Sequence, residues 1–246
     1  MQKIYSKDFI IVIPARWKSS RFPGKPLAQI LGKSVIEYVY SSCLKATSKN
    51  NIIIATDDSR IKKFCISKNM NVVMSSKNCL TGTDRIIEIS KKIKSKIYIN
   101  VQGDEPLIKS NEIIKFIKIA LRNKKKIIIG KSKIDKHKFK SKNIPKIVTD
   151  NKNRLLYISR ACIPSGKKFE ANTGYGQVNI YSYPRSCLKN KYKNKKTFNE
   201  KKEDIEILRF LENGHNVFVK LMKGGTHPID EKKDLKIVKS ILLKHK

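Results

Sequence analysis

The sequence predicts an α/β fold, with a mostly parallel sheet flanked by helices and a second half rich in antiparallel hairpins. Short apolar runs of strand length recur at Phe9 to Ile13, Ile52 to Thr56, Val72 to Met74 and Ile97 to Val101. Helix-length stretches lie between them, with apolar residues three or four apart and charges on the other side. Past residue 144, two alternating apolar runs flank an Asp-Asn-Lys-Asn turn. Repetition of strand, helix and strand calls for parallel strands covered by helices on both faces. The turn-linked pair calls for a hairpin instead.

In chain order, the helical stretches of the first half read KSVIEYVYSSCLKA, SRIKKFCISKN and TGTDRIIEISKKI. SNEIIKFIKIALRN follows, with Ser110 as its expected cap, and then an apolar run from Ile127 to Ile129. PKIVTDNKNRLLYISRACIP supplies the hairpin and GQVNIYSYP a further strand. NEKKEDIEILRFLENG is expected to form one helix closed by Gly214, with NVFVKLM as the last strand and EKKDLKIVKSILLK as a C-terminal helix. The lysine-rich stretches 131–143 and 189–202 read as exposed connections or insertions. At 246 residues the chain fits a single domain, 1–246.

No run of about 18 uncharged apolar residues occurs, so neither a membrane span nor a secretory signal is expected. The five cysteines, Cys43, Cys65, Cys79, Cys162 and Cys187, are scattered and odd in number, without a C-x-x-C pair. They read as reduced, mostly buried residues of a cytoplasmic protein. His137, His215, His227 and His245 read as standing alone in lysine-rich or loop-like surroundings, which leaves a Ser/His/Asp or Cys/His catalytic group little to build on. The formal charge of +35 suggests a polyanionic partner. Only nine of the 55 cations are Arg, however, and the abundance of Lys, Ile and Asn fits drift toward A/T-rich codons on solvated faces.

Three polar stretches end predicted strands, where open parallel sheets bind ligands. In the first, IVIPARWKSSRFPGKPL, Arg16, Arg21 and Lys25 could surround an anion while Gly24 lets the backbone approach it. It is not a Walker A loop, because Pro26 follows Gly24-Lys25. The alternative is a solvated basic turn. In the second, INVQGDEP, a carboxylate beside a polyphosphate would suit Mg²⁺, which takes one or two carboxylates and fills its shell with water and phosphate oxygens. The alternative is an acid capping a helix N-terminus. The third, LTGTDR, opens a helix whose first N–H groups could face a ligand, with Thr83 as a plain N-cap the alternative.

Taken in this order and spacing, IPARWKSSRFPGKPL, ATD, TGTDR and NVQGDEPLI resemble the 3-deoxy-manno-octulosonate (KDO) cytidylyltransferases, and YISRACIP, NIYSY and EDIEILRFLENG extend the resemblance nearly end to end. It implies a Rossmann-like nucleotide-diphospho-sugar transferase fold, usually a homodimer. It also implies transfer of CMP from CTP to KDO for lipopolysaccharide synthesis. Residues 1–130 would mainly bind CTP, and 131–246 would mainly bind sugar and dimerise. On matching positions the resemblance assigns Pro14, Ala15, Arg16, Arg21, Lys25, Gly82, Thr83 and Arg85 to CTP, with Arg16, Lys25 and Asp104 catalytic. Asp104 and Asp230 would hold Mg²⁺. Gln102, Arg160, Gln177 and Glu206 would face the sugar acid, Arg160 through a planar fork suited to a carboxylate.

The chain departs from the family pattern in its second half. Gln177 and Asn179 stand where a histidine and a glycine are usual, Glu206-Ile207 replaces an E-Q pair, and THPID replaces a glycine-rich turn before Asp230. Two alternatives stay open: a cytidylyltransferase for another acidic sugar such as a sialic acid, or a basic nucleic-acid-binding protein on the same fold. The second predicts cations on one face interleaved with aromatics, yet lysines fall on nearly every predicted helix.

Overall fold

The first strand, β1 (Phe9–Ala15), alternates its side chains between two cores. Phe9, Ile11, Ile13 and Ala15 join a cluster on one face of the sheet, and Ile10 and Val12 join a second on the other. A strand buried on both faces needs apolar residues at nearly every position, hence FIIVIPA. The structure is a computed structural model that describes residues 2–4, 6–19, 21–166, 174–189, 192–224 and 226–244. After β1 come a small hairpin of β2 (Gln29–Ile30) and β3 (Lys33–Ser34), then α1 (Val35–Ala46), β4 (Ile52–Thr56), α2 (Ser59–Ser67), β5 (Val72–Met74), α3 (Gly82–Lys92) and β6 (Ile97–Val101). The second half adds α4 (Ser110–Arg122), β7 (Ile127–Ile134), α5 (Lys136–Lys140), β8 (Lys146–Thr149), β9 (Leu155–Ser159), β10 (Gly174–Pro184), α6 (Phe198–Glu203), α7 (Leu208–Glu212), β11 (Val217–Leu221) and α8 (Lys232–Lys244).

The main sheet runs β11-β7-β10-β6-β1-β4-β5, with β8 pairing β10 and β9 pairing β8. Neighbours along this path are parallel except at β10, which runs against both β6 and β7. From β1 the chain builds outward through β4 and β5, then crosses back to β6 on the other side of β1. The loops leaving β1 and β6 therefore diverge and open a crevice at the carboxyl ends of the two strands. Helices α1, α2 and α4 cover one face, while α3 and α7 cover the other. A third, smaller cluster of Phe22, Ile30, Val35, Ile229 and Val238 docks α8 against the loop that follows β1.

Several expectations are corrected. The N-cap of α4 is Lys109, with Ser110 already inside the helix. The N-cap of α3 is Thr81, which forms a capping box with Asp84, so Thr83 is not the cap. The single helix expected over 199–214 is two short ones, because Asp204 adopts a left-handed φ of 51° between them. Residues 131–143 are not a mere exposed connection: Lys131 is buried in β7, and α5 buries Phe139. Within 189–202, Lys193 pairs with Glu88 and Thr197 caps α6.

The cysteines are free thiols. Burial pushes Cys65 up to about 12 and Cys79 up to about 11. His215 does not stand alone, since Tyr192 Oη lies 3.1 Å from its Nε2 and Cys187 Sγ 3.9 Å from its Nδ1. Burial raises the Cys187 thiol too, so this pair supplies no thiolate nucleophile. His227 lies 3.3 Å from Asp234, and His245 falls outside the described residues. Among the described residues, no helix is long and apolar enough to cross a membrane.

Candidate active site at the strand switch point

The loop leaving β1 is braced by its own turn chemistry. Gly24 has a φ of +72°, and a Cβ there would stand 3.0 Å from the Trp17 ring. Its N–H donates to Trp17 O at 2.9 Å, Pro26 is buried, and Phe22 anchors in the third core cluster. Arg60, paired with Asp58, stacks 3.5 Å over the Trp17 ring and closes the brace from outside. Lys25 thereby reaches across the crevice, where its Nζ donates to Asp104 Oδ2 at 2.6 Å and to Ile229 O at 2.8 Å. Arg16 is exposed and makes no hydrogen bond or ion pair among the described residues.

Asp230 comes to the same point from the far end of the chain. Ile229 is buried, and its N–H donates to Asp104 O at 2.9 Å. Asp234 at the start of α8 accepts the N–H groups of Asp230 and Glu231 at 2.8 and 2.7 Å. Asp230 Oδ1 then lies 3.7 Å from Lys25 Nζ and 3.1 Å from Arg21 Nη2. Arg21, Asp230, Lys25 and Asp104 form a line of alternating charge.

Gly103 lets β6 deliver Asp104 this close to β1, since a Cβ there would stand 2.5 Å from Pro14 O. The adjacent Glu105 points inward. Burial pushes its carboxyl up to about 8, with the Asp104 charge adding to the shift and the Asn179 amide opposing it. Burial thus favours the neutral form of Glu105, while the Asp104 side chain lies in the cleft against Lys25 Nζ. Two hard carboxylates converging on one cationic point suit Mg²⁺ with substrate phosphates. Among the described residues no group of three or more ligand-type side chains forms a separate metal site.

The start of α3 is not open as expected. Glu206 accepts from Gly82 N at 3.0 Å, and from Thr83 N and Thr83 Oγ1 at 2.6 and 2.5 Å. An internal carboxylate therefore occupies the N–H groups that a ligand would use. Thr83 lies behind the cleft wall, fully buried. Arg85 is buried but lines the cleft, held by Asp57 Oδ2 at 2.7 Å and Thr81 O at 3.3 Å, while its Nε has no hydrogen-bond partner among the described residues. Fully buried Arg209 joins α3 to α6 and α7, donating to Asp84 Oδ1 at 2.6 Å and to both oxygens of Glu200 at 2.6 and 2.8 Å.

At the far end, Arg160 donates from Nε to Glu203 O at 2.6 Å, from Nη1 to Lys142 O at 3.0 Å and from Nη2 to Asp204 O at 3.1 Å. Gln177 Nε2 donates to Tyr181 Oη, which donates to Asn179 Oδ1 at 3.3 Å. The Asn179 amide in turn donates to Glu105 Oε1 at 2.5 Å. The unusual Asn179 is therefore the link from the far end of the cleft to the residue beside Asp104. Ile207 is fully buried and faces the core.

These groups surround one cleft of about 600 Å³. Pro14, Ala15, Arg16, Arg21, Lys25, Gly82 and Arg85 line it together with Gln102, Asp104 and Asp230, and Arg160, Gln177 and Glu206 complete the wall, Glu206 touching Gly82 directly. Thr83 alone of the expected residues stands back from the wall. Sequence reasoning missed Lys142, Lys196 and Tyr181, which also line the cleft, and Asp57, which holds Arg85. The two lysines lie in stretches whose charge resembles that of any solvated segment, whereas Asp57 ends the strand motif ATD and was legible as a strand-end acid.

The family model described as Cytidylyltransferase matches residues 10–223. The chain is 34% identical to 3-deoxy-manno-octulosonate cytidylyltransferase of Protochlamydia amoebophila, covering 96% of this chain and 95% of that one. It is 36% identical to 8-amino-3,8-dideoxy-manno-octulosonate cytidylyltransferase of Shewanella pealeana, over 94% of this chain and 97% of the other. The solved structure of CMP:2-keto-3-deoxy-manno-octonic acid synthetase complexed with CTP superposes with a TM-score of 0.88 at 29% identity, covering 97% of this chain and all of that one.

Proposed function

The chain belongs to the 3-deoxy-manno-octulosonate cytidylyltransferase family, and on that premise we propose that it transfers the CMP moiety of CTP to KDO and releases pyrophosphate. The observation that carries this reading is the meeting of Arg21, Lys25, Asp104 and Asp230 at the switch point, with Arg16 beside them and Arg160 across the cleft. Residues 1–130 mainly bind the nucleotide: Pro14 and Ala15 line the base and sugar end, and Arg16, Arg21, Lys25 and Arg85 neutralise phosphates. Gly82 and Thr83 act through Glu206, which they hold in place. Residues 131–246, with Gln102, mainly bind the sugar acid through Arg160, Gln177 and Glu206.

The sugar hydroxyl attacks the α-phosphorus in line, so the protein's work is alignment and charge stabilisation. Arg16 and Lys25 stabilise charge developing on the departing pyrophosphate. Asp104 and Asp230 would hold Mg²⁺, which would supply further neutralisation of the triphosphate. The same reading makes the protein a cytoplasmic homodimer serving lipopolysaccharide synthesis.

The test measures pyrophosphate release from CTP with KDO, with 8-amino-3,8-dideoxy-manno-octulosonate, with a sialic acid and with no sugar, each with and without Mg²⁺. The expected result is Mg²⁺-dependent release with KDO. Release that is highest with another sugar, or absent with every sugar, overturns the assignment. Sedimentation of the purified protein as a monomer would remove the dimer from the reading.

A further inference from the structure

We propose that Lys146 is a positioning residue that holds Arg160 in the orientation needed to grip the carboxylate of the sugar acid. This rests on the reading of the cleft as a sugar-acid cytidylyltransferase site. Lys146 sits on β8 between β9 and β10, in register with Ser159 and Gly176, and is fully buried. Its Nζ donates to Ser141 O at 2.9 Å and to Arg160 O at 2.6 Å. Among the described residues no carboxylate oxygen lies within 4.0 Å of it to form an ion pair. Burial draws the amine below its ordinary value. A buried ammonium without a carboxylate costs stability, and a methionine of similar length would fill the space more cheaply. Its directional bonds are what an apolar side chain could not supply.

Those bonds close a ring around Arg160. Lys146 holds Ser141 O, the next carbonyl along, Lys142 O, accepts from Arg160 Nη1, and Arg160 O accepts from Lys146. Glu203 completes the grip by accepting the Arg160 N–H on Oε2 at 2.8 Å and the Ser159 hydroxyl on Oε1 at 2.5 Å. A guanidinium has five N–H groups. The carbonyls of Glu203, Lys142 and Asp204 take one from each nitrogen, which leaves one on each terminal nitrogen. Two remaining donors on a cleft-lining arginine match the two oxygens of one carboxylate. Without Lys146, Arg160 O loses its partner and Ser141 O keeps only the Ile144 N–H at 3.3 Å, so the segment carrying the arginine is free to turn.

The experiment is a double-mutant cycle with separate Michaelis constants for KDO and CTP. Lys146→Met is expected to raise the KM for KDO about tenfold or more and to leave that for CTP within about twofold, while Arg160→Ala raises the KDO constant at least as far. Adding Lys146→Met to Arg160→Ala is expected to have no further effect on the KDO constant. CTP binding by calorimetry verifies that each variant is folded. If Lys146→Met does not fold, Lys146→Gln, which keeps amide donors, is measured in the same cycle with a smaller rise expected. A lowered melting temperature with both constants unchanged, or effects that add in the double variant, overturns the role of Lys146. If the wild type releases no pyrophosphate with KDO, the functional reading falls and takes this inference with it.

Discussion

Arg21 and Arg160 both face the cleft, and they are held in opposite ways. The Arg21 side chain is 52% exposed and, among the described residues, bonds Asp230 alone, whereas Arg160 is tied to three backbone carbonyls from two segments. The contrast extends to their surroundings. At the nucleotide end, Arg21, Lys25, Asp104 and Asp230 pair with one another, and Arg16 pairs with nothing among the described residues. The Arg21–Asp230 pair is half-exposed and worth little, while the Lys25–Asp104 pair is partly buried; on the proposed reading the cations turn to a triphosphate and the carboxylates to a metal. At the sugar end the polar groups are committed: Glu206 to the start of α3, and Gln177, Tyr181, Asn179 and Glu105 to one another. Groups already fixed lose little entropy when a ligand arrives, and they accept only the ligand that fits. On the proposed reading, one end exchanges partners and the other selects.

The largest effect is expected at the buried group behind both ends. Replacing Arg209 by Met strands Asp84 and Glu200 without their cation and should cost about 3–5 kcal/mol, read from denaturant unfolding. A loss below 1 kcal/mol would show that the two ends do not share this support. Asp84 adds a pH signature. Burial raises its carboxyl, but the Asn194 N–H and Arg209 outweigh burial and hold it below its ordinary 3.8. The unfolded chain then binds more protons in acid, so this stabilisation is present above 3.8 and is lost as pH falls through the lower folded value. Arg209→Met should flatten that acid limb.

At the nucleotide end, Asp104→Asn should remove about a hundredfold or more of the Mg²⁺-dependent turnover, about 2.7 kcal/mol, with the melting temperature little changed. A fully active variant would show that Asp104 is not an essential ligand. Arg16→Ala and Lys25→Ala should each cut kcat/KM at least about tenfold, roughly 1.4 kcal/mol. Gly24→Ala strains a left-handed position against Trp17 and should cost about 1 kcal/mol, seen as weaker CTP binding by calorimetry. The smallest change belongs to the sugar end. Asn179→Gly removes two hydrogen bonds, to Glu105 and from Tyr181, each of about 1 kcal/mol, and should alter the KDO constant about two- to fivefold with CTP binding unchanged. An equal loss of CTP binding would erase the distinction between the two ends.

The readable parts of this molecule are those whose partners are close in sequence or whose chemistry is repeated. β1, β4 and β6 stand out because a strand buried on both faces is apolar at nearly every position, and the half-buried edge strand β5 stands out as a short apolar run. The Asp150 to Asn153 turn does so because Asn153 takes the positive φ that the turn requires. The basic loop, Asp104 and Arg160 were visible as polar groups at strand ends and through the family resemblance. What escaped was contact between distant segments. Glu206 meets Thr83 across 123 positions and Arg209 meets Asp84 across 125, so nothing local marks Glu206 as the occupant of the α3 N-terminus. The break at Asp204 escaped too, because the surrounding pattern of apolar residues continues through it.

By itself the sequence determined the layered α/β architecture, the strand ends at which a ligand would bind and the residue types waiting there. Those follow from periodicity and from short-range turn chemistry. Only the tertiary structure decided which of those groups are free and which are already occupied. A carboxylate or ammonium is available to a ligand only if no nearer partner takes it, and the partners of Glu206, Arg160 and Lys146 are carbonyls, amides and hydroxyls that the fold alone brings within reach.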